Sequence, residues 1–583
     1  MNFKMKTALL ISLLTLTAAS ADVSAVNPPV IINSTNFPDD IFREYISENF
    51  DTDKDGKLSE AELRPDSDGR LVIDVRRTKV SDLTGLKYFK NLTDLDCSGT
   101  YISELDVSRN TKLKNLKCGQ SGIRGLDVTQ NTELESLDCS NGYWRLVVEE
   151  GEKSVRLGKV DLSQNKKLKK LVLENAVLTE IDVSQNTELV YLKVSWNYLE
   201  GLDVTNNKKL EELYCTWSFV DPDGGLRKVE QPDISQNKML RRFSCGQNGL
   251  TEIDVSNNPE LTYLNCRDNR LSRIDVSNNP KLQGLYCGEN ELLTLDLSQN
   301  KALTELNCED NKIMKLDLSG YDKLKKVECG GNKLRYLDVS GCEALEELIC
   351  YKNLLESLDT SECPKLLELN AEGNRLKQVK LFHPARNSKE KHDFRLSGND
   401  LTSIDLSGYG KFDVYISSQY RNIKVKNGIY DLSELEKCGL DPDRITYING
   451  AEYDPKADAL VNFTSNEIYY YYKCGNGETE QFNLRADFIS DDADKKPFLC
   501  ADKRYITSSL VWEKLSGAEK YVIERFDERS DKWEVIAETT SNSCTDNKIE
   551  EYVYYKYRIC AFVNGKKGKY SNVVETGYFD YPD

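Results

Sequence analysis

The residues of this 583-residue chain best equipped for chemistry run from Asp51 to Glu62, DTDKDGKLSEAE. Asp51, Asp53 and Asp55 alternate, Gly56 follows, and Glu62 closes the run at the twelfth place. Three carboxylates, the Lys57 carbonyl, the Ser59 hydroxyl or a water it holds, and both oxygens of Glu62 make the roughly six to eight hard oxygen ligands that Ca2+ takes. Gly56 permits the sharp turn that brings them together. A solvated acidic turn is the plainer reading of the same residues. Nucleophilic chemistry is poorly served: His383 and His392 are the only histidines, both in the charged stretch FHPARNSKEKHDF, and neither stands near a recognisable Ser or Cys nucleophile. No zinc spacing, phosphate-binding glycine loop or dinucleotide motif occurs, so no enzyme is expected.

The second candidate set is aromatic and cationic: Tyr191, Trp196, Tyr214, Trp217, Arg242, Tyr263, Arg267 and Tyr286. A repeat sets its spacing. From Pro232 to Asn300 one 21-residue pattern recurs, with Asp at 233, 254, 275 and 296, Cys at 245, 266 and 287, and Asn at 248, 269 and 290. No unit of that length can bury its own apolar face, so the copies must stack. The Asp series extends from Asp106 to Asp359 in steps of 21, except for a step of 34 after Asp127 and one of 30 after Asp203, and Asp405 follows beyond a coil where Lys380 takes the place. Those two excesses are insertions, within about 142–159 and 219–231, and solenoid insertions map to loops on one face. Within a coil, L-x-x-L-x-C reads as a short strand whose Leu and Cys point inward while the residues between point outward.

The outward places hold Tyr191, Tyr214, Arg242, Tyr263 and Tyr286, with Arg267 just past the Cys. Trp196 and Trp217 share one place beyond the strand in successive coils. Tyrosine, tryptophan and arginine are the composition of contact hot spots and of sugar-stacking platforms. The plainer alternative is that the two indoles stack on each other to fill turns, Ser218 standing where an Asn is expected. Beyond residue 300 the same places carry Glu305, Asn307, Glu309, Lys326, Glu328, Glu347, Glu368 and Glu372, a mostly acidic strip. Stacked strands set successive carboxylates about 5 Å apart by construction, so Glu347 and Glu368 give no sign of a glycosidase pair.

Ten of the 17 cysteines share one inward repeat position: Cys97, Cys118, Cys139, Cys215, Cys245, Cys266, Cys287, Cys308, Cys329 and Cys350. Leu173, Val194, Ala371 and Leu396 take it in other coils, so these thiols serve as small buried hydrophobes. Cys342 and Cys363 replace the second Asn of adjacent coils, at a spacing that suits either a disulfide or two thiols. Cys438, Cys474, Cys500, Cys544 and Cys560 are an odd five without an evident pairing. The Asn column from 248 to 374 is expected to satisfy backbone groups of neighbouring coils, and each repeat Asp to bond the Ser or Thr two residues on. A calcium ladder on those Asp residues is the sharper alternative.

Residues 1–21, with Lys4 and Lys6, an apolar run and Ala19-Ser20-Ala21, read as a secretory signal peptide. No later apolar run is long enough to span a membrane. A net charge of −18 argues against nucleic acid and anionic membrane as partners. Residues 22–70 form a helical cap around the acidic loop, 71–421 the solenoid, 422–490 a β unit sealing it, and 497–583 an all-β sandwich.

Three resemblances attach to these motifs. The acidic loop, with its preceding Phe50 and following Leu58-Ser59, is similar to the EF-hand loops of secreted bacterial EF-hand and dockerin modules. Dockerins carry two loops and one is found here, which leaves calcium as a structural staple of the cap. The pattern L-x-x-L-D-V-S-x-N-x-x-L-x-x-L-x-C-x-x-N-x-L resembles the leucine-rich repeats of secreted and surface bacterial proteins, broadly the internalins, over more than half the chain. That resemblance implies a curved α/β solenoid of mostly short parallel strands that holds a protein or glycan on its concave strand face. Residues 497–583 resemble a fibronectin type III domain, with Trp512 and Tyr521 as core aromatics and Tyr555 or Tyr557 at its corner. The expected protein is therefore a secreted, monomeric, non-catalytic binding or adhesion protein with one structural Ca2+. The alternatives are an accessory of extracellular polysaccharide breakdown tethered through its EF-hand segment, and a structural envelope component.

Overall fold

The structure is a computed structural model. It describes residues 29–576 except 142–156, 220–230, 385–390, 410, 427, 476, 491–496, 498, 505–506, 513, 516, 528–530 and 550–554. The signal peptide, Trp144 and most of both insertions lie outside the described residues. The chain divides into two compact units, Met1–Asn207 and Lys208–Asp583.

The first unit opens on helix Asp40–Asn49, whose apolar face buries Phe42 and Ile46. Asp39 caps it by accepting from the Phe42 N–H at 2.9 Å. Its other oxygen accepts from the N–H and hydroxyl of Ser81, tying helix to solenoid. The segment after the acidic loop is a turn over residues 60–63 rather than a second helix, because Glu62 folds back on Ser59 and Pro65 follows. Six parallel three-residue strands then stack in register: Val72–Asp74, Asp94–Asp96, Asn115–Lys117, Ser136–Asp138, Lys170–Val172 and Tyr191–Lys193.

The second unit continues the pattern with ten strands: Glu212–Tyr214, Arg242–Ser244, Tyr263–Asn265, Gly284–Tyr286, Glu305–Asn307, Lys326–Glu328, Glu347–Ile349, Glu368–Asn370, Lys391–Arg395 and Lys411–Tyr415. The far side of the coils is turn, not helix, so the solenoid is a β-solenoid rather than the α/β one expected. The reason is length: twenty-one residues, once two turns are closed by asparagine, leave no stretch for a helix. Among the described residues the L-D-V-S segment pairs as a strand only at Lys315–Asp317 with Tyr336–Asp338 and at Ser357–Thr360 with Gln378–Leu381.

Two asparagine ladders hold the coils. On the strand side Asn269 donates to the carbonyls of Cys245 (3.2 Å) and Cys266 (2.9 Å) and accepts from the Leu250 N–H, and Asn290, Asn311, Asn332, Asn353 and Asn374 repeat this. Gln419 ends that ladder by donating to the Leu396 carbonyl and accepting from the Leu401 N–H. On the far side Asn279 donates to the Val255 and Asn258 carbonyls. There Tyr321, Cys342 and Cys363 take over in turn, each bonding the carbonyl 24 residues earlier. Cys342 and Cys363 are therefore unbridged thiols acting as ladder members. The ten repeat cysteines are all buried, and burial pushes Cys287 and Cys350 up to about 12.

The coils end against a unit in which Tyr420–Lys426 pairs parallel with Thr479–Ser490, flanked by Glu467–Lys473 and Ile445–Asn449. Tyr470 seals it to the solenoid by donating to the Thr402 carbonyl at 2.6 Å. Beyond lie two antiparallel sheets, one of Leu499–Arg504, Thr507–Trp512 and Ser543–Asp546, the other built on Ala518–Asp527 and Tyr555–Val563. They share a core of Leu510, Trp512, Tyr521, Ile523, Tyr557 and Ile559. Of the two candidate rings Tyr557 is buried and Tyr555 half-buried, and the Tyr557 hydroxyl meets Asp546 at 3.1 Å. The described cysteines among the odd five, Cys438, Cys474, Cys544 and Cys560, are free thiols.

Candidate functional site

In the second unit the inward residues Leu213, Phe243, Leu264 and Leu285 are wholly buried, which turns their strand neighbours outward in two columns. Register places Glu212, Arg242, Tyr263 and Gly284 in one column and Tyr214, Ser244, Asn265 and Tyr286 in the other. The structure joins four of the expected residues into one array. Tyr214 donates its hydroxyl to Glu212 at 2.6 Å and accepts from Arg242 Nε at 3.1 Å. The Arg242 guanidinium lies 4.3 Å from the Tyr263 ring centroid. Tyr263 and Tyr286 pack with centroids 5.2 Å apart. Both rings rest over Gly284, where an added Cβ would meet Tyr286 at 3.2 Å and Tyr263 at 3.3 Å. Tyr286 closes the array by donating to Glu305.

Strand alternation places Glu212 and Glu305 outward but does not join them to the tyrosines, and Gly284 was missed, although a glycine in an outward strand place signals a close approach. Burial, with the bond to Glu212, pushes Tyr214 up to about 12. Burial and Glu305 move Tyr286 up likewise, so both phenols stay protonated donors at neutral pH. Arg267 lies apart from the array, its guanidinium donating to Glu289 at 2.5 and 3.1 Å.

Trp217 stands in the left-handed region at φ +51°, the turn position taken by Gln247, Asp268 and Glu289 in later coils. A bulky side chain there costs about 1 to 2 kcal/mol. Asn248 holds this turn by accepting from the Ser218 and Phe219 N–H groups. In the first unit Trp196 takes the same strained position at φ +61°, followed by the ladder member Asn197. Tyr191, half-buried, lies under the Lys170 ammonium at 5.2 Å.

The later outward places hold a polar lattice. Asn307 donates to Glu328 at 2.6 Å, and Lys326 bridges Glu328 (2.9 Å) and Glu347 (3.0 Å). Tyr351 lies across Gly330, and burial with Glu309 nearby raises its phenol. The repeat Asp residues accept from the Ser or Thr two places on, as at Asp254 and Ser256 (2.9 Å), which holds the carboxyl below its usual range.

In the cap, Asp51, Asp53 and Asp55 each offer an oxygen within 4.8 Å of the others, around Gly56 at φ +78°. Asp51 accepts from the N–H groups of Asp55 and Gly56. Glu62 bonds the Thr52 and Ser59 N–H groups at 2.7 and 2.8 Å. Partial burial raises its pKa, but the bonds from Ser59 and Thr52 outweigh this and hold it at about 2. The Lys57 N–H donates to Asp55 at 2.8 Å, and the Ser59 hydroxyl donates to Glu62 at 2.8 Å. Of the histidines, His383 faces Asp405 at 4.0 Å, and His392 is buried against Phe394 and Tyr409.

The solved structure of the functional domain of InlJ from Listeria monocytogenes, described as including a cysteine ladder, is similar to 79% of this chain over 99% of its own length. The identity is 26% and the TM-score 0.61. The internalin InlF of the same organism is similar at 21% identity and TM-score 0.44, covering 61% of this chain and 94% of its own. The leucine-rich effector YopM of Yersinia pestis is similar at 20% and 0.44, covering 60% and 88%. No protein-family model and no curated protein sequence matches the chain. The stacked coils thus form a leucine-rich-repeat solenoid similar to that of InlJ, and this supports a protein-interaction or adhesion scaffold. Among the described residues no helix is long and apolar enough to cross a membrane.

Proposed function

We propose that this is a secreted, non-catalytic binding protein whose outer strand face captures an extracellular protein, with Tyr214, Arg242, Tyr263 and Tyr286 as anchors and Trp217 beside them. The observation that carries the reading is the unbroken run from Glu212 through Arg242 to Glu305. Rings and a guanidinium pre-set by neighbours lose little freedom on binding, which is the property of hot-spot residues. A protein suits this patch better than a glycan. Sugar stacking needs open ring faces, and here the Arg242 guanidinium covers that of Tyr263. Edges and hydroxyls are what remain. Tyr191 and Trp196 present the same residue types in the first unit, and Arg267 adds a cation beyond the array. The test is capture from a mixture of extracellular proteins by the immobilised full chain, repeated with Arg242→Ala. Partners that bind both equally would sink the assignment.

The cap is proposed to hold one structural Ca2+ through Asp51, Asp53, Asp55, the Lys57 carbonyl, Ser59 and Glu62. The clustered carboxylates and the positive φ at Gly56 fit the ion, and a bound cation would relieve the repulsion among them. Glu62 would exchange its bonds to Thr52 and Ser59 for the metal. Calorimetric titration with Ca2+ should show one site that Asp51→Asn abolishes; no heat with the parent chain would refute it. The two-sheet C-terminal domain is proposed to be a fibronectin type III-like spacer or second contact.

A further inference from the structure

The sheet that seals the solenoid keeps its core on one side, with Ile468, Tyr470, Tyr472, Phe482, Leu484 and Phe488 buried. Its other side has no need of large rings, yet it carries four tyrosines. Tyr420, Tyr447 and Tyr471 are 51%, 48% and 38% exposed. Register lays Tyr420, Asn483, Tyr469 and Asn449 in one row across four of its strands, with Gln481, Tyr471 and Tyr447 in the next. Three strand spacings make that row about 14 Å long. Tyr447, Tyr469 and Tyr471 pack mutually with centroids 5.9 to 6.2 Å apart, a rigid platform that needs no ordering on binding.

Between and beside the rings stand amides rather than charges. Gln481 donates to Asn483 at 3.0 Å, and Asn483 in turn to the Gln419 carbonyl. The charges that are present largely cancel: Arg485 pairs with Glu467 at 3.2 Å, and Lys424 lies opposite Asp487 in register. Lys426 and Lys473 stand on different strands, Lys426 well beyond the ring rows and Lys473 as a single cation in the row next to Tyr471. In a chain of net charge −18 this face offers no concentrated field for a polyelectrolyte, and its complement is a neutral, hydroxyl-rich ligand. Where the sheet meets the next domain it opens into a cleft of about 600 Å³ lined by Asn422, Asn466, Glu467, Arg485, Asp487 and Asn542. The amide row therefore continues into a recess with donors and acceptors on both walls.

We infer that this face binds a neutral polysaccharide: Tyr447, Tyr469 and Tyr471 stack on sugar rings, while Asn449, Gln481, Asn483 and the Arg485–Glu467 pair bond hydroxyls. Stacking on tyrosine faces and paired bonding by planar amides are sequence-tolerant ways to hold a chain of sugars. The site is separate from the solenoid patch, so it would work alongside protein capture rather than through it.

Native affinity electrophoresis of the full chain tests this, in gels containing β-glucan, xylan, galactomannan or, as the anionic comparison, hyaluronan. At least one neutral polysaccharide should retard the parent chain, and Tyr447→Ala with Tyr471→Ala should weaken the retardation about tenfold or more. Arg242→Ala with Tyr263→Ala should leave it unchanged. Should the tyrosine pair fail to fold, as judged by circular dichroism, Asn449→Ala with Gln481→Ala supplies the same reading on surface amides alone. Retardation by no neutral polysaccharide, retardation by hyaluronan alone, or equal retardation of the parent and the binding-face variants overturns the inference. A loss seen instead with the Arg242 and Tyr263 pair would move glycan binding to the solenoid and also overturn it.

Discussion

The strands from Glu212 to Tyr286 and those from Glu305 to Asn370 share one template: a buried leucine, valine or phenylalanine in the middle, an inward cysteine or alanine two places on, and the same asparagine ladder beneath. They differ only where the template is indifferent. The earlier stretch fills its outward places with rings and a guanidinium that touch one another in series, and the later stretch fills them largely with carboxylates, two of them paired with Lys326 and one hydrogen-bonded by Asn307. The scaffold asks nothing of these positions, which supports the proposal that the rings serve partner contact. Trp217 sharpens the point, because the turn it occupies suits glycine, asparagine or aspartate better.

If the contrast is functional, the two stretches respond differently to the same kind of change. Arg242→Ala or Tyr263→Ala should weaken partner binding on the order of thirtyfold, the effect of losing a hot spot of about 2 kcal/mol, while Glu347→Gln or Glu368→Gln should move it less than about threefold. Biolayer interferometry on the captured partner reads both. Next, Gly284→Ala pushes a methyl against the two tyrosine rings, and affinity should fall about tenfold with the fold intact; the same change at Gly288 also introduces a clash, but with Asn307 and the later stretch. Trp217→Gly relieves the left-handed strain and should raise stability by about 1 kcal/mol in denaturant while lowering affinity. An unchanged affinity would return Trp217 to the role of turn filler.

Two smaller effects follow from titration. Tyr214, pushed up by burial and by its bond to Glu212, titrates at about 12 in the folded chain against about 10 unfolded. A raised folded pKa contributes stability that is complete below about pH 10 and lost as pH rises toward 12, and Glu212→Gln should narrow that window. Ultraviolet phenolate absorbance reads it. The Asp residues of the turns belong to both stretches, at Asp254 and Asp275 as at Asp317 and Asp338, and all have carboxyls held low by bonds from serine or its backbone. Depressed folded values give stability that is present above about pH 4 and lost as pH falls, so mild acid should weaken both stretches alike.

Much of this was legible in the sequence because a 21-residue period states its own inside and outside. The cysteine column, the asparagine ladder and the Asp-to-Ser bonds follow from positions that recur. What the period does not encode was missed. The far-side ladder was visible only as Asn258 and Asn279, and its succession by Tyr321, Cys342 and Cys363 depends on three different side chains reaching the same carbonyl. The second helix of the cap was not formed, since Glu62 found nearer donors in Ser59 and Thr52. Alternation alone makes Tyr469 to Tyr472 an ordinary two-faced strand, and only the register with Tyr447 and Asn483 reveals how many rings share its outer side. Contacts along the strand face, such as Arg242 over Tyr263, depend on rotamers that spacing alone does not specify.

Hydroxyl-radical footprinting of the full chain with and without its captured partner tests the central claim most directly, because Tyr351 on the later stretch is a built-in reference of the same residue type. The account predicts that Tyr214, Tyr263 and Tyr286 lose reactivity on binding while Tyr351 keeps its own. Protection of Tyr351 with Tyr263 and Tyr286 still reactive would contradict it.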